Sequence, residues 1–269
     1  MIPKIIHYCW FGYAEKDEKA QRCIESWRRF LPDYQIVEWN ESNFSIKESC
    51  NYVIEAYNEK KWAFVSDYAR LQILFNNGGV YFDTDVEIIK PFGEILNYDM
   101  VLGIENVVNG EIQINPGLVI AAKAGHPLLR KILETYEGEH FSLSNGKNNS
   151  KYTIVMRTSK VLFDNTDIKN ENALQNLKEC TIYPKEYFCP LDYETGKLNI
   201  TENTKTIHWF SASWLSDNQR RRKNNASKIR SLLPKPIASL AITIYFKFGA
   251  AFDILKEKGV VSLLRRLFP

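Results

Sequence analysis

The chain has 269 residues, 45% hydrophobic and 13% aromatic, with a formal net charge of +3; such a composition excludes a disordered chain, and the length suits one substantial core that buries roughly three quarters of the unfolded surface. The charge is uneven: from Gln219 onward twelve Lys or Arg stand against two acids, a net of +10, which leaves −7 for the first 218 residues. This split marks an interaction tail and argues against a uniformly basic, nucleic-acid-coating protein.

Ile2 to Tyr8 (IPKIIHY) reads as a short buried strand ending in an aromatic turn, Trp10-Phe11-Gly12. Ala20, Cys23, Ile24, Trp27 and Phe30 then recur at helical spacing, and Leu31-Pro32-Asp33 stops that helix because Pro cannot continue the hydrogen-bond ladder. Tyr34 to Trp39 (YQIVEW) reads as a second strand, so the order is that of a parallel βαβ unit. A helix through Tyr52, Val53, Ala56 and Tyr57 follows, then a longer one from about Trp62 to Phe75. Asn77-Gly78-Gly79 ends it with residues that tolerate positive φ. Val80-Tyr81-Phe82 is a brief buried strand that runs into Asp83-Thr84-Asp85. Further strands are expected at Met100–Ile104 and Leu118–Ala122, a helix at about Pro127–Tyr136, and a surface loop from Asn145 to Lys151.

A single domain is expected over 1–218, its core ending near Trp214, with a basic amphipathic tail over 219–269. In that tail Arg220-Arg221-Arg222-Lys223 precedes Pro234 and Pro236, and Ile237 to Phe252 is apolar apart from Lys247 and a few small polar residues. The run is shorter than the roughly 20 residues that span a bilayer. Val260 to Phe268 adds a second apolar face carrying Arg265 and Arg266. Basic residues beside apolar helical faces describe a segment lying in the membrane interface; the alternative is a helix pair packed on the body or on a second subunit. Five scattered cysteines without a C-x-x-C pair, and no secretory signal in the first 20 residues, indicate a reducing cytoplasm.

Asp83 and Asp85 carry the chemistry. Carboxylates two residues apart at the end of a buried strand project side by side into a cleft, where hard oxygen donors hold Mg²⁺ or Mn²⁺ and, through it, a diphosphate. An apolar strand delivering acids to its C-terminal end is where ligands sit in open α/β sheets. Asp67 and Arg70, spaced i, i+3 on the preceding helix, read on composition alone as a surface ion pair; the alternative is that Asp67 accepts from sugar hydroxyls and Arg70 reaches a hydroxyl or phosphate. Trp10 is either core packing or a platform for a nucleotide base. His208 is either a packing residue or a neutral imidazole completing a metal site.

Taken together, IPKIIHYCWFG, SWRRFLPDYQIVEWNESNF, WAFVSDYARLQILFNNGGVYFDTDVEIIKPF, IYPKEYFCP and IHWFSASW resemble the bacterial capsular-polysaccharide and Och1-like mannosyltransferase family, glycosyltransferase family 32. The stretch from Ser66 to Asp85 is also similar to the glucosylating domain of large clostridial toxins. The resemblance implies an α/β fold of GT-A type (Rossmann-like), a nucleotide-sugar donor, Mn²⁺ or Mg²⁺, and transfer with retention of configuration. By position it implies that Trp10, with Phe11 beside it, meets the donor base, that Asp67 and Arg70 hold the donor sugar, and that Tyr81 lies beside the nucleotide. It makes Asp83 and Asp85 the metal motif, and it has His208, Ser213 and Trp214 close over diphosphate and metal. From their place near the ends of expected strands, Glu105 and Asn115 are expected as further sugar or acceptor contacts. Many relatives carry a second His where this chain has Trp209, and a T-x-P segment where it reads Thr153-Ile154-Val155.

The expected function is sugar transfer from a nucleotide diphosphate, a uridine donor favoured, to a saccharide on a polyprenyl diphosphate carrier. The enzyme would work at the cytoplasmic face of the membrane. A metal-dependent phosphoesterase would need more carboxylates or histidines, and the four histidines show no ligand spacing. A non-catalytic sugar-binding or scaffold protein would have no use for the acid pair.

Overall fold

The structure is a computed structural model that describes residues 1–141, 143–144, 147–148, 153–211, 217–234, 236–246 and 248–249. The chain divides into two compact units, Met1–Pro190 with Asn199–Ser211, and Leu191–Leu198 with Ala212–Pro269.

The first unit begins with β1 (Ile5–Cys9), α1 (Glu18–Phe30) and β2 (Gln35–Trp39). Asp17 caps α1 by accepting from the Ala20 amide at 2.8 Å, and Glu18 and Arg28–Arg29 complement its dipole at opposite ends. Helices α2 (Asn51–Asn58) and α3 (Trp62–Asn77) lead to β3 (Gly79–Tyr81) and β4 (Val86–Ile88). After a 3₁₀ turn come β5 (Met100–Val108), β6 (Glu111–Ile114), β7 (Ile120–Ala122) and α4 (Pro127–Glu134). The short β8 (Leu143–Ser144) and β9 (Lys147–Asn148) pair with each other, so part of the expected 145–151 loop is strand; residues 145–146 and 149–151 lie outside the described residues. Next are α5 (Ile154–Asn165), β10 (Gln175–Asn176), β11 (Thr181–Tyr183), α6 (Lys185–Phe188) and β12 (Thr206–His208).

The main sheet runs β10-β11-β5-β7-β3-β1-β2, with β6 on β5, while β4 and β12 form a separate antiparallel ladder. β1 pairs in parallel with both β2 and β3, as the βαβ reading requires. After β2 the chain crosses to the other side of β1, and this reversal opens a crevice beyond the C-terminal ends of β1 and β3. Trp10 follows one end and Asp83 the other. The sheet is apolar on both faces: Tyr81, Leu102 and Ile120 join one buried cluster with residues of α2 to α5, while Tyr8, Val80 and Val101 join another with α1, β4 and α6. Gly79 is required by close approach, since with φ of 105° a Cβ there would lie 2.7 Å from the Ile5 carbonyl oxygen and 2.8 Å from His7 Nε2.

The second unit contains the turn closed by the Leu191–Leu198 bridge and α7 (Asp217–Leu232), followed by a helical stretch over 236–246. Asn225 Nδ2 donates to the Tyr245 hydroxyl at 2.8 Å, joining the two helices. Among the described residues no helix is long and apolar enough to cross a membrane. Ser213, Trp214, Phe252 and the 260–268 face lie outside the described residues.

Candidate metal and sugar site

Asp83 leaves the end of β3 and is reached by α3 from behind. Arg70 is 4% exposed; its NH2 lies 2.8 Å from Asp67 Oδ1 and 3.1 Å from Asp83 Oδ1. Its NH1 donates to Asp83 Oδ2 at 3.4 Å and its Nε to the Ser66 carbonyl at 3.1 Å. Every guanidinium nitrogen thus has a protein partner, so Arg70 holds the two acids in place here and does not reach outward. The pair is therefore no surface ion pair. Tyr81 is fully buried, donates to Asp83 Oδ1 at 3.2 Å and lies under the Arg70 guanidinium, 4.9 Å from its ring centroid.

Asp85 belongs to the turn between β3 and β4, and its partners come from the far end of the chain. His208 Nε2 lies 3.2 Å from Asp85 Oδ1, the Ser211 amide donates to Asp85 Oδ2 at 2.6 Å, and the Trp209 amide donates to the Asp85 carbonyl at 3.0 Å. The β4–β12 ladder, which pairs Val86 with His208, sets this contact. Just beyond β12 the Trp209 indole donates to Glu87 Oε2 at 2.8 Å. Trp209 is therefore committed to Glu87.

The two acids differ electrically. Burial and the charge of Asp85 push Asp83 up from the ordinary carboxylate range against the pull of Arg70. For Asp85 burial opposes the charge, but His208 and the Ser211 contacts outweigh it and hold the carboxyl well down. Burial disfavours the His208 imidazolium, yet Asp85 raises its pKa well above the ordinary value. Burial lifts Asp67 to about 6 despite Arg70.

Ligand atoms of Asp83, Asp85 and His208 all lie within 4.8 Å of one another. Asp67, Asp83 and Asp85 bring three carboxylates together around Arg70, with His208 acting on Asp85 and Arg157 on Asp67. The donor set fits a divalent cation held by two carboxylate oxygens and an imidazole that gives up its proton.

Glu105 and Asn115 join the same cluster. Asn115 Nδ2 donates to Glu105 Oε1 at 2.8 Å, and Glu105 Oε1 lies 3.9 Å from His208 Nδ1. Trp10 sits half-buried at the end of β1, its Nε1 donating to the Ala14 carbonyl at 2.6 Å. Phe11 departs from the expectation: it is turned into the core edge-on to Phe44, ring centroids 5.8 Å apart, and is packing. Sequence reading did not single out Gly117 or Ser211. The Gly117 amide donates to Asn115 Oδ1 at 2.7 Å, and a Cβ on Gly117 would lie 2.0 Å from Asp83 Oδ2. The Asn115-Pro116-Gly117 turn signal marked the place. Ser211 acts through its backbone amide, which any residue supplies.

The family described as "Glycosyltransferase sugar-binding region containing DXD motif" matches residues 17–106, which hold Asp67, Arg70, Tyr81, Asp83, Asp85 and Glu105. The chain is a glycosyltransferase. The family implies a nucleotide-sugar donor and an acceptor. The chain is 26% identical over 205 residues to an uncharacterized glycosyltransferase of Acanthamoeba polyphaga mimivirus, a match covering 71% of this chain and 78% of that one. It is 22% identical over 242 residues to subversion of eukaryotic traffic protein A of Legionella pneumophila, covering 77% of this chain and only 34% of that longer protein. Among solved structures, the PaToxG glycosyltransferase matches with a TM-score of 0.46 at 18% identity, over 61% of this chain and 69% of that one. At that score the likeness adds no argument, and the fold rests on the sheet topology described above.

Proposed function

We propose that this glycosyltransferase is metal-dependent and retaining, has a GT-A type fold, and moves a hexose from a uridine diphosphate sugar to a lipid-linked saccharide in surface-polysaccharide assembly. The observation that carries the reading is the convergence of Asp83, Asp85 and His208 within 4.8 Å, beside the buried Asp67–Arg70 pair. Asp83, Asp85 and His208 would hold Mn²⁺ or Mg²⁺, and an imidazole in the set favours Mn²⁺, since Mg²⁺ prefers oxygen alone. When bound, the ion offsets charge on the leaving diphosphate. Asp67, whose Oδ1 engages Arg70, has a second oxygen to accept from sugar hydroxyls. Arg70 fixes both acids, so the site is pre-organised before the donor arrives. Trp10, beyond β1 in the same crevice, offers a ring to the base. Retention and the uridine preference rest on the resemblance to the family 32 and toxin sequences. Among the described residues no second group of metal-ligating side chains occurs, which favours this reading over a two-metal phosphoesterase.

The test is thermal unfolding against a panel of nucleoside diphosphates and nucleotide-sugars, with and without Mn²⁺. A ligand at a hundred times its dissociation constant adds about 2.7 kcal/mol to stability. A shift requiring both Mn²⁺ and one nucleotide names the donor base; no shift with any of them would overturn the metal and uridine-donor reading.

The second unit supports a peripheral position at the cytoplasmic membrane face, with a polyprenyl diphosphate carrier bearing the acceptor. Ile237, Leu240, Ile244 and Phe248 recur at helical spacing and are exposed, whereas Ala238 and Ile242 are buried. The preceding α7 carries Arg220, Arg221, Arg222, Lys228 and Arg230. An apolar stripe beside a cationic helix matches an anionic bilayer surface. Leu240→Glu with Ile244→Glu should abolish sedimentation with anionic vesicles and leave nucleotide binding intact. Continued sedimentation of that variant would remove the membrane from the reading.

A further inference from the structure

We propose that Glu105 is a positioning residue that orients the His208 imidazole toward the cation, and that Asn115 ties it to the Asp83 side of the site. This rests on the metal-dependent reading above and replaces the expectation that Glu105 and Asn115 are sugar contacts.

His208 is 7% exposed, with Nε2 directed at Asp85. A neutral imidazole that ligates through Nε2 carries its proton on Nδ1, and that N–H needs an acceptor. In the structure Nδ1 is buried and makes no hydrogen bond. Glu105 Oε1 lies 3.9 Å from it, and the Cys189 thiol, a weak acceptor, also interacts with the His208 side chain. Metal-ligating imidazoles almost always present the second nitrogen to a carboxylate, a carbonyl or water, and a carboxylate is the strongest acceptor of these.

The backbone is shaped to place that carboxylate. The β5–β6 register slips between Ile104 and Asn106, so Glu105 is the residue at the irregularity. Alternation along β5 turns Glu105 away from Ile104 and onto the side of Val101 and Gly103, where Phe188 and Cys189 lie, and the irregularity leaves it without a partner residue on β6. Asn115 then locks the carboxylate in place. Its Nδ2 donates to Glu105 Oε1 and its Oδ1 accepts from the Gly117 amide at 2.7 Å, which uses both ends of the amide. Gly117 backs onto Asp83, and its carbonyl accepts from the Asp83 amide at 3.0 Å. Glu105, Asn115 and Gly117 therefore form one continuous support that joins the His208 ligand to the Asp83 ligand.

The experiment is calorimetric titration of the full chain with Mn²⁺ in the absence of nucleotide, for wild type, Glu105→Ala, Glu105→Gln and Asn115→Ala. Loss of an outer partner of a metal ligand costs ~10- to 100-fold in affinity, and that is the expected loss for Glu105→Ala. Glu105→Gln still offers an acceptor to Nδ1 and should recover most of it; Asn115→Ala should fall between. The visible spectrum of the Co²⁺-loaded protein, which reports imidazole ligation, should change in the alanine variant and be restored in the glutamine one. Unchanged Mn²⁺ affinity with a raised KM for the donor would overturn the proposal and return Glu105 to the sugar. If wild type binds no Mn²⁺ the metal reading itself fails, an outcome distinct from equal binding by wild type and Glu105→Ala.

Discussion

Asp83 and Asp85 lie two residues apart, yet the two flanks of the site are built by different parts of the chain. On the Asp83 flank Arg70 and Tyr81 come from the immediately preceding helix and strand, the guanidinium pairing with the acid and the phenol donating a hydrogen bond to it. On the Asp85 flank His208 and Ser211 arrive through the β4–β12 ladder, more than 120 positions later in the chain. One flank is local and charge-compensated. The other depends on tertiary closure and holds its carboxyl firmly ionised, because an imidazolium and a backbone amide both favour the charged form. The difference assigns separate work: Asp85 is the dependable anionic ligand, while Asp83, pushed up by burial and by Asp85, leans on Arg70, His208 and Tyr81 for its charge.

The largest effect should come from the dependable ligand. Asp85→Ala is expected to reduce turnover by at least about 10⁴-fold, some 5.5 kcal/mol in the barrier. Its unfolding midpoint should move by only a few degrees, since the side chain contacts His208 and Ser211 at a turn and not in the core. Turnover near that of wild type would refute the metal assignment.

The compensated flank should instead fail in stability. Arg70→Met leaves the partly buried Asp67 and Asp83 without their cation, and removing one partner of a buried ion pair costs up to about 3–5 kcal/mol. The addition of Asp83→Asn should recover part of that loss, because one of the stranded charges is gone. Denaturant titration of the single and double variants measures both; a double variant less stable than the single one would show that Arg70 does not act through charge.

A third test addresses the joint between the flanks. Gly117→Ala places a methyl carbon 2.0 Å from Asp83 Oδ2 and 2.8 Å from Arg70 NH1, with no positive φ to blame. Overpacking of this kind costs about 1–3 kcal/mol, and Asp83 must move to accommodate it, so Mn²⁺ affinity should fall as well. A variant with unaltered affinity would mean that the Asp83 position is not critical to the metal.

The same asymmetry explains what was legible in the sequence. The local flank was legible in part: a helix, a glycine pair and an apolar strand running into Asp-Thr-Asp put Asp83 at a strand end, while Asp67 and Arg70 on composition alone read as a surface ion pair. The parallel βαβ start was plain from periodicity and Pro32. Less visible were β4, β6 and β12, whose few residues carry no pattern of their own and exist because a partner strand pairs with them. Gly117 was hidden for a different reason, since its role is to lack a side chain next to Asp83. The Ser211 amide could not be read at all, because a backbone donor has no sequence signature. Phe11 was misread because its neighbour Trp10 stays half-buried at the crevice while Phe11 turns to the core side of the same turn.

The smallest effect lies away from both flanks, at His7 on β1, and it concerns pH. His7 is 2% exposed; its Nδ1 accepts from the Trp39 indole at 3.0 Å and its Nε2 donates to the Gly78 carbonyl at 2.9 Å. Both nitrogens are therefore committed to the neutral tautomer. Burial lowers the pKa below its ordinary 6.5, outweighing the Gly78 contact. As pH falls below 6.5 the unfolded chain takes up the proton before the folded one does. The His7 contribution to stability is thus complete above that pH and is lost progressively beneath it. Asp67, lifted from 3.8 to about 6, works in the opposite sense within an overlapping window. The two groups therefore oppose each other in total stability, and only a difference can isolate His7. The stability of wild type minus that of His7→Gln, measured by urea titration from pH 7.5 down to 5, should shrink as the pH falls. A difference that stays constant would mean that His7 is not held neutral by the fold and that the Trp39–His7–Gly78 chain is no acid-sensitive link between β1 and the turn after α3.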